Sequence, residues 1–190
     1  KKNSKKQKID MGNGWGEFNK YCLKANWIDD KTHSRNIVTA RIAAKVQEKY
    51  GLFTNTPNNG LIDGFPIEIY LNGEFLGLYT WNIPKDAWMW DLDEDNSNNI
   101  AIEAGSCTDS TYFKEEVTSI DILEDQGWEI ETGSENQETV DKLNKLIRFV
   151  KNSTDEEFIN NFENYFNKDA MLNYLAVQYM AQATDNVAKN

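Results

Sequence analysis

Phe65-Pro-Ile-Glu-Ile-Tyr-Leu-Asn-Gly-Glu-Phe-Leu-Gly-Leu-Tyr-Thr-Trp81 is the stretch that decides the fold. Two runs rich in β-branched and aromatic residues, 65–71 and 75–81, flank Asn72-Gly73. Both turn residues tolerate positive φ, and a tight turn that matches strand twist needs that tolerance. The spacing therefore predicts an antiparallel hairpin.

Working outward toward the N-terminus, Asn19 to Asn26 partly alternates and reads as a strand. Ser34 to Tyr50 reads as a helix, with Ile37, Ala40, Ala44 and Val46 spaced near 3.6 and Gly51 as the stop. Residues 54–64, rich in Asn, Thr, Pro and Gly, read as a loop. Toward the C-terminus, an acidic, Asn-rich loop leads to short strands at Asn99–Ala104 and Trp128–Glu131. From Ser134 the pattern turns helical. Ser134 with Gln137 fits a capping box ahead of Val140, Leu143, Leu146, Ile147 and Val150, and Thr154 with Glu157 fits a second. A third helix is expected from Lys168 to Ala183. Strands first and helices later predict an α+β fold. Residues 1–131 form the mixed portion and 132–190 the helical portion of one domain. The chain opens at Lys1 and stops at Asn190, directly after a helical pattern. That placement is read as truncation at both ends, a single partial domain.

Composition limits the function. Hydrophobic residues make up 39% of the 190 positions and aromatics 12%, enough for a packed core and too much for full disorder. No apolar run approaches the roughly 18 residues of a membrane span. Net charge is −11, and five of the lysines fall within the first eight positions. The remainder carries 15 basic against 31 acidic residues, which disfavours phosphate backbones and argues against a nucleic-acid partner. Cys22 and Cys107 lack CxxC spacing and give no metal knuckle. A single disulfide between them stays open.

Several patterns invite chemistry. Gly12, Gly14 and Gly16 lack the spacing of a phosphate loop and read as a turn. Asp91, Asp93 and Asp95 begin like a calcium loop, but Asn96 and Ile102 stand where that loop needs Gly and Glu. His33, the only histidine, adjoins Ser34 at a helix start and reads as a capping or surface residue. Trp81, Trp88 and Trp90 could stack on a base or a sugar, or pack in a core. The sharpest candidate is Asp185 with Asn190. Kinase catalytic loops place an Asp that orients the acceptor hydroxyl five residues before an Asn that holds a metal ion. With 23 Asn and 15 Asp in the chain, such pairs also arise by chance, as at Asp91/Asn96, Asp93/Asn98 and Asp155/Asn160. Asp185 stands apart because it follows a long apolar helix directly.

The whole pattern resembles the CotH kinase family, spore-coat-H-type proteins with a divergent protein-kinase-like fold. Four segments carry the likeness. The first is Leu23-Lys-Ala-Asn26 with Asp29 or Asp30 and Ser34-Arg35-Asn36. The second is Ile69-Tyr-Leu-Asn-Gly-Glu-Phe-Leu-Gly-Leu-Tyr79. The third is Ile100-Ala-Ile-Glu-Ala104, then Phe113 and Trp128. The fourth is Asn173-Tyr174 running to Asp185-Asn186 and Lys189-Asn190. The resemblance implies transfer of the ATP γ-phosphate to Ser of a protein substrate, with Mg²⁺ or Mn²⁺, at an extracellular, cell or spore surface. It implies Asp185 as the catalytic aspartate and Asn190 as a metal ligand. Arg35 matches a recurrent family arginine, near the nucleotide or in a structural ion pair. Glu103 stands where many members carry Lys, so Lys6, Lys8, Lys24 and Lys85 are the candidate substitutes for the phosphate-binding lysine. Lys24 and Lys85 join Arg35 as nucleotide-binding candidates. Members usually carry a Gly/Ser-rich segment ahead of the first Lys-rich strand, where this chain starts. Many place an acid shortly after the hairpin, where this chain reads Trp81-Asn82-Ile83-Pro84. A metal-binding Asp normally follows the catalytic loop, so the fragment alone is expected to be inactive. Two other readings remain: a surface or spore-coat binding module that lost the chemistry, and a carbohydrate-binding module using Trp81, Trp88 and Trp90.

Overall fold

The computed structural model describes residues 7–26 and 32–183. The chain divides into two compact units, Lys1–Asp91 and Leu92–Asn190. This division falls well before residue 131, where the sequence changes from mixed to helical character.

The first unit contains β1 (Ile9–Asp10), β2 (Glu17–Phe18), β3 (Cys22–Lys24), α1 (Arg35–Lys49), β4 (Gly64–Leu71) and β5 (Glu74–Asn82). The hairpin forms as expected: β4 and β5 pair antiparallel from Gly64↔Asn82 to Leu71↔Glu74, with a register shift between Ile69 and Tyr70. Asn72 and Gly73 take φ of 52° and 87°, the left-handed turn that the dipeptide favours. β3 pairs with the opposite edge of β5, giving the order β3-β5-β4. One sheet face carries an aromatic layer. Trp15 stacks on Phe65 at 5.8 Å, Tyr21 tilts against Trp81 at 5.2 Å, and Phe18 meets Trp88 edge-on at 5.3 Å. The pairing of β1 with β2 has no sequence counterpart, because two-residue strands carry no periodicity. Gly12, Gly14 and Gly16 lie in the turn between them, all with positive φ, and the Gly12 amide donates to Asp10 Oδ1 at 2.8 Å.

The second unit contains β6 (Ala101–Ala104), β7 (Trp128–Thr132), α2 (Gln137–Asn152), α3 (Asp155–Asn161) and α4 (Lys168–Ala181). β6 and β7 form an antiparallel pair. Val117, Leu123, Trp128, Val140, Leu143 and Ile147 close the core. The irregular segment inside it stays satisfied because Asn144 on α2 both accepts from the Val117 amide and donates to its carbonyl, at 2.8 and 2.7 Å. Buried backbone without such a partner would be costly. The start of α2 differs from expectation. Its cap is Asn136, whose side chain accepts from the Thr139 amide. Ser134 instead takes a bond from the Thr139 hydroxyl through its carbonyl, since it lies too far upstream to reach the first free amides. The Thr154–Glu157 capping box is present as read. Neither Cys22 nor Cys107 is in a disulfide. Among the described residues no helix is long and apolar enough to cross a membrane.

Candidate functional site

α1 lies between its cap position Ser34 and Tyr50, close to the expected span. It buries Ile37, Ala40, Ala43 and Ala44, a narrow stripe of small residues that permits close approach to its neighbours. Two polar ties fasten it. In mid-helix, Arg41 Nε donates to Asp63 Oδ1 at 2.7 Å and Arg41 also reaches the Gly64 carbonyl at 3.0 Å. The same carboxylate accepts from Trp15 Nε1 at 2.9 Å and from the Gly64 amide at 2.8 Å. Asp63 thus joins the N-terminal loop, the helix and the start of β4. Its side chain is 13% exposed, which strengthens charge-assisted bonds relative to those in open water.

The second tie is at the N-terminal end. Asn36 Nδ2 donates to Asn26 Oδ1 at 3.5 Å, and Asn26 Nδ2 donates to Thr80 Oγ1 at 3.1 Å. Thr80 donates onward to the Lys24 carbonyl at 3.5 Å and is fully buried. Lys24 is the cross-strand partner of Thr80, and directly opposed residues share one face of an antiparallel pair. Lys24 and Arg35, the residue just before Asn36, are therefore brought to one neighbourhood, at two ends of a three-residue polar chain. Both are exposed. Two cationic side chains near a part-buried Asn–Thr node form an arrangement suited to a polyphosphate. Guanidinium supplies a planar fork of donors and ammonium a compact charge.

The other candidates fall elsewhere. Lys85 lies exposed in the loop after β5, three residues past its end, and Lys8 lies exposed ahead of β1. Lys6, Asp29, Asp30, Asp185 and Asn190 lie outside the described residues. Among the described residues no group of three or more His, Cys, Asp or Glu could hold a metal ion. His33 takes φ of 54° and its Nδ1 is buried without a partner. Ser34 occupies the cap position without a side-chain cap bond and instead bonds to the Thr32 hydroxyl at 2.6 Å.

Trp81, Trp88 and Trp90 are half-buried, and the ring nitrogens of Trp81 and Trp88 are buried without partners. Trp81 and Trp88 pack against Tyr21 and Phe18 at 42° and 66°. These contacts are the ones the packing alternative expects of Trp81 and Trp88. Burial raises the Tyr21 phenol above its ordinary value, and the Asp10 charge adds to the effect.

In the second unit, Glu103 on β6 stands directly opposite Glu129 on β7. Glu129 also lines a groove of about 1010 Å³ together with Asp121, Glu124, Asp125, Glu131 and Glu135. A surface this acidic repels phosphate.

Sequence reasoning named Lys24 and Arg35 but gave no role to Asn26, Asn36, Thr80 or Asp63. The partners are 54, 22 and 48 positions apart in the bonds Asn26–Thr80, Arg41–Asp63 and Trp15–Asp63, and no local pattern signals them. The resemblance did contain Asn26 and Asn36, which was the one available hint.

An α+β protein with a cationic neighbourhood at the edge of a three-stranded sheet is the class these features define. The family model described as CotH kinase protein matches residues 1–190, and the chain belongs to that family. No curated protein and no solved structure matched it.

Proposed function

We propose that this chain carries the nucleotide-facing part of a CotH-type atypical protein kinase with a divergent kinase-like fold. The reaction is transfer of the ATP γ-phosphoryl group to a Ser hydroxyl of a surface or spore-coat protein. The observation that carries the reading is the chain Asn36–Asn26–Thr80, which ties the helix turn bearing Arg35 to the strand pair bearing Lys24, in a chain matched from end to end by the family. In this reading Lys24 and Arg35 bind the phosphates. Asp185 orients the acceptor hydroxyl and takes its proton as the oxygen attacks phosphorus, and ADP leaves. Asn190 supplies a ligand to Mg²⁺ or Mn²⁺, which would neutralise charge on the phosphates. Positioning and electrostatics do most of the work in such transfers. The test, made on the full-length parent protein because the chain alone is expected to be inactive, is transfer of label from γ-labelled ATP to a Ser-rich peptide with Mg²⁺ or Mn²⁺ present. Asp185→Asn is expected to abolish it, and a variant that labels as well as the wild type would sink the assignment.

One observation favours a second reading. Glu103, at the position where many family members carry Lys, faces Glu129 beside the acidic groove. That placement suits a non-catalytic surface module that binds a cationic partner. It predicts that the wild type neither labels the peptide nor binds ATP.

A further inference from the structure

We infer that Asn26 and Thr80 are positioning residues that hold the first turn of α1, and with it Arg35, against the sheet face bearing Lys24. The functional half of this inference rests on the nucleotide reading above. α1 begins without the usual supports. Its cap residue Ser34 makes no side-chain bond to the free amides, and no acidic residue occupies the first turn. A helix start in that state is prone to fray, because its first amides have no partner within the helix and no acid of its own first turn offsets the dipole. The Arg41–Asp63 pair cannot supply the missing order, since it grips the helix nearly two turns further on. What holds the start is the chain Asn36–Asn26–Thr80. Its inner end is rigid: Thr80 is fully buried in the central strand β5, with β3 on one side and β4 on the other. Its middle member has a reason to be Asn. Asn26 sits at φ of 44°, a left-handed conformation that Asn tolerates better than most residues. Its amide also offers an acceptor toward Asn36 and a donor toward Thr80 at once. Because Lys24 pairs with Thr80, the same node ties the backbone that carries Lys24 to the helix turn that carries Arg35.

The experiment uses the whole chain and two readouts. The first is amide exchange at Val38, whose N–H bonds the Ser34 carbonyl at 2.8 Å, compared with exchange at Ala44 in mid-helix. The second is the affinity for ATP by calorimetry. Asn26→Gly keeps the left-handed backbone and removes the amide, whereas Thr80→Val keeps the buried volume and removes the hydroxyl. Each is expected to speed Val38 exchange about tenfold relative to Ala44. Each should also weaken ATP binding by about as much as Arg35→Ala, roughly tenfold. Asn26→Asp keeps an acceptor for both neighbours, so Val38 exchange should return toward wild type. ATP binding should stay weak, because the new charge opposes the phosphates. Unchanged Val38 exchange in both Asn26→Gly and Thr80→Val overturns the inference. If Val38 exchange rises but wild-type protein binds no ATP, the anchoring role stands and the nucleotide reading falls. If Arg35→Ala weakens ATP binding while Asn26→Gly leaves it intact, the link from the anchor to Arg35 is overturned.

Discussion

Both units bury apolar side chains, Ile37, Ile83 and Met89 in the first among them, but the contacts that join their elements differ. In the second, Val140 and Ile147 on α2 are fully buried, and the core is a continuous apolar cluster. In the first, the fully or nearly buried residues on β5 include Thr80 and Asn82, and the fixed points are a carboxylate with three partners and a chain of amides. Apolar burial is non-directional and fills space. Hydrogen bonds are directional, so they fix the position of one element against another at a modest net gain. In the unit that bears Lys24 and Arg35, directional contacts join α1 to the sheet and to the start of β4.

The contrast can be broken most forcefully in the second unit. Ile147→Ala removes a fully buried side chain from the apolar cluster, and deletions of that kind cost about 2–5 kcal/mol. Urea denaturation should show a lower midpoint with little change in slope. A loss below about 1 kcal/mol would mean that this cluster does not dominate the unit.

Asp63→Ala tests the other side. It leaves Arg41, the Trp15 indole and the Gly64 amide without their shared acceptor. Because Arg41 is 55% exposed and can return to water, the expected cost is smaller, about 2 kcal/mol. The contrast with the core predicts a further signature: loss of order at α1 and at the Trp15 loop, read as faster amide exchange there. If Asp63→Ala changes stability by less than about 0.5 kcal/mol, the polar hub does not hold the unit.

The sequence made different parts of this picture legible to different degrees. The hairpin was fully readable, because Asn72-Gly73 states its backbone geometry locally and the flanking runs state their pairing. The bodies of α1, α2 and α4 followed from spacing. The start of α2 was misplaced because Ser134 and Asn136 are both good caps, and only the backbone path decides which one meets a free amide. β6 and β7 were each visible, but their pairing across 23 intervening residues was not. The candidate site was half legible. Arg35 was named through the family resemblance and Lys24 as a candidate substitute for its phosphate-binding lysine, whereas Asn26, Thr80 and Asp63 matter only through partners distant in the chain. The left-handed φ of Asn26 is the sort of constraint that one sequence does not reveal.

The smallest expected effect concerns a contact the sequence did reveal, the capping box of α3. Glu157 Oε2 accepts from the Thr154 amide at 2.9 Å and from its hydroxyl at 3.0 Å, and the Glu157 amide donates back to that hydroxyl at 3.3 Å. The bond from the backbone, then the bond from the hydroxyl, hold the Glu157 carboxyl below its ordinary value. A group whose folded value is depressed contributes stability above its unfolded value, and that contribution is lost as pH falls through the folded one. The cap should therefore be intact near neutrality and weaken below about pH 4.5, the ordinary range of a Glu carboxyl. Exposure to solvent keeps the effect local to the first turn of α3. The amide of Phe158, which bonds the Thr154 carbonyl at 2.8 Å, is the reporter. Its resonance should shift and its protection fall as pH drops through that range, and Glu157→Gln should flatten the profile. An unchanged profile in Glu157→Gln would assign the transition to other carboxylates, with Asp155 and Glu156 in the same first turn the nearest.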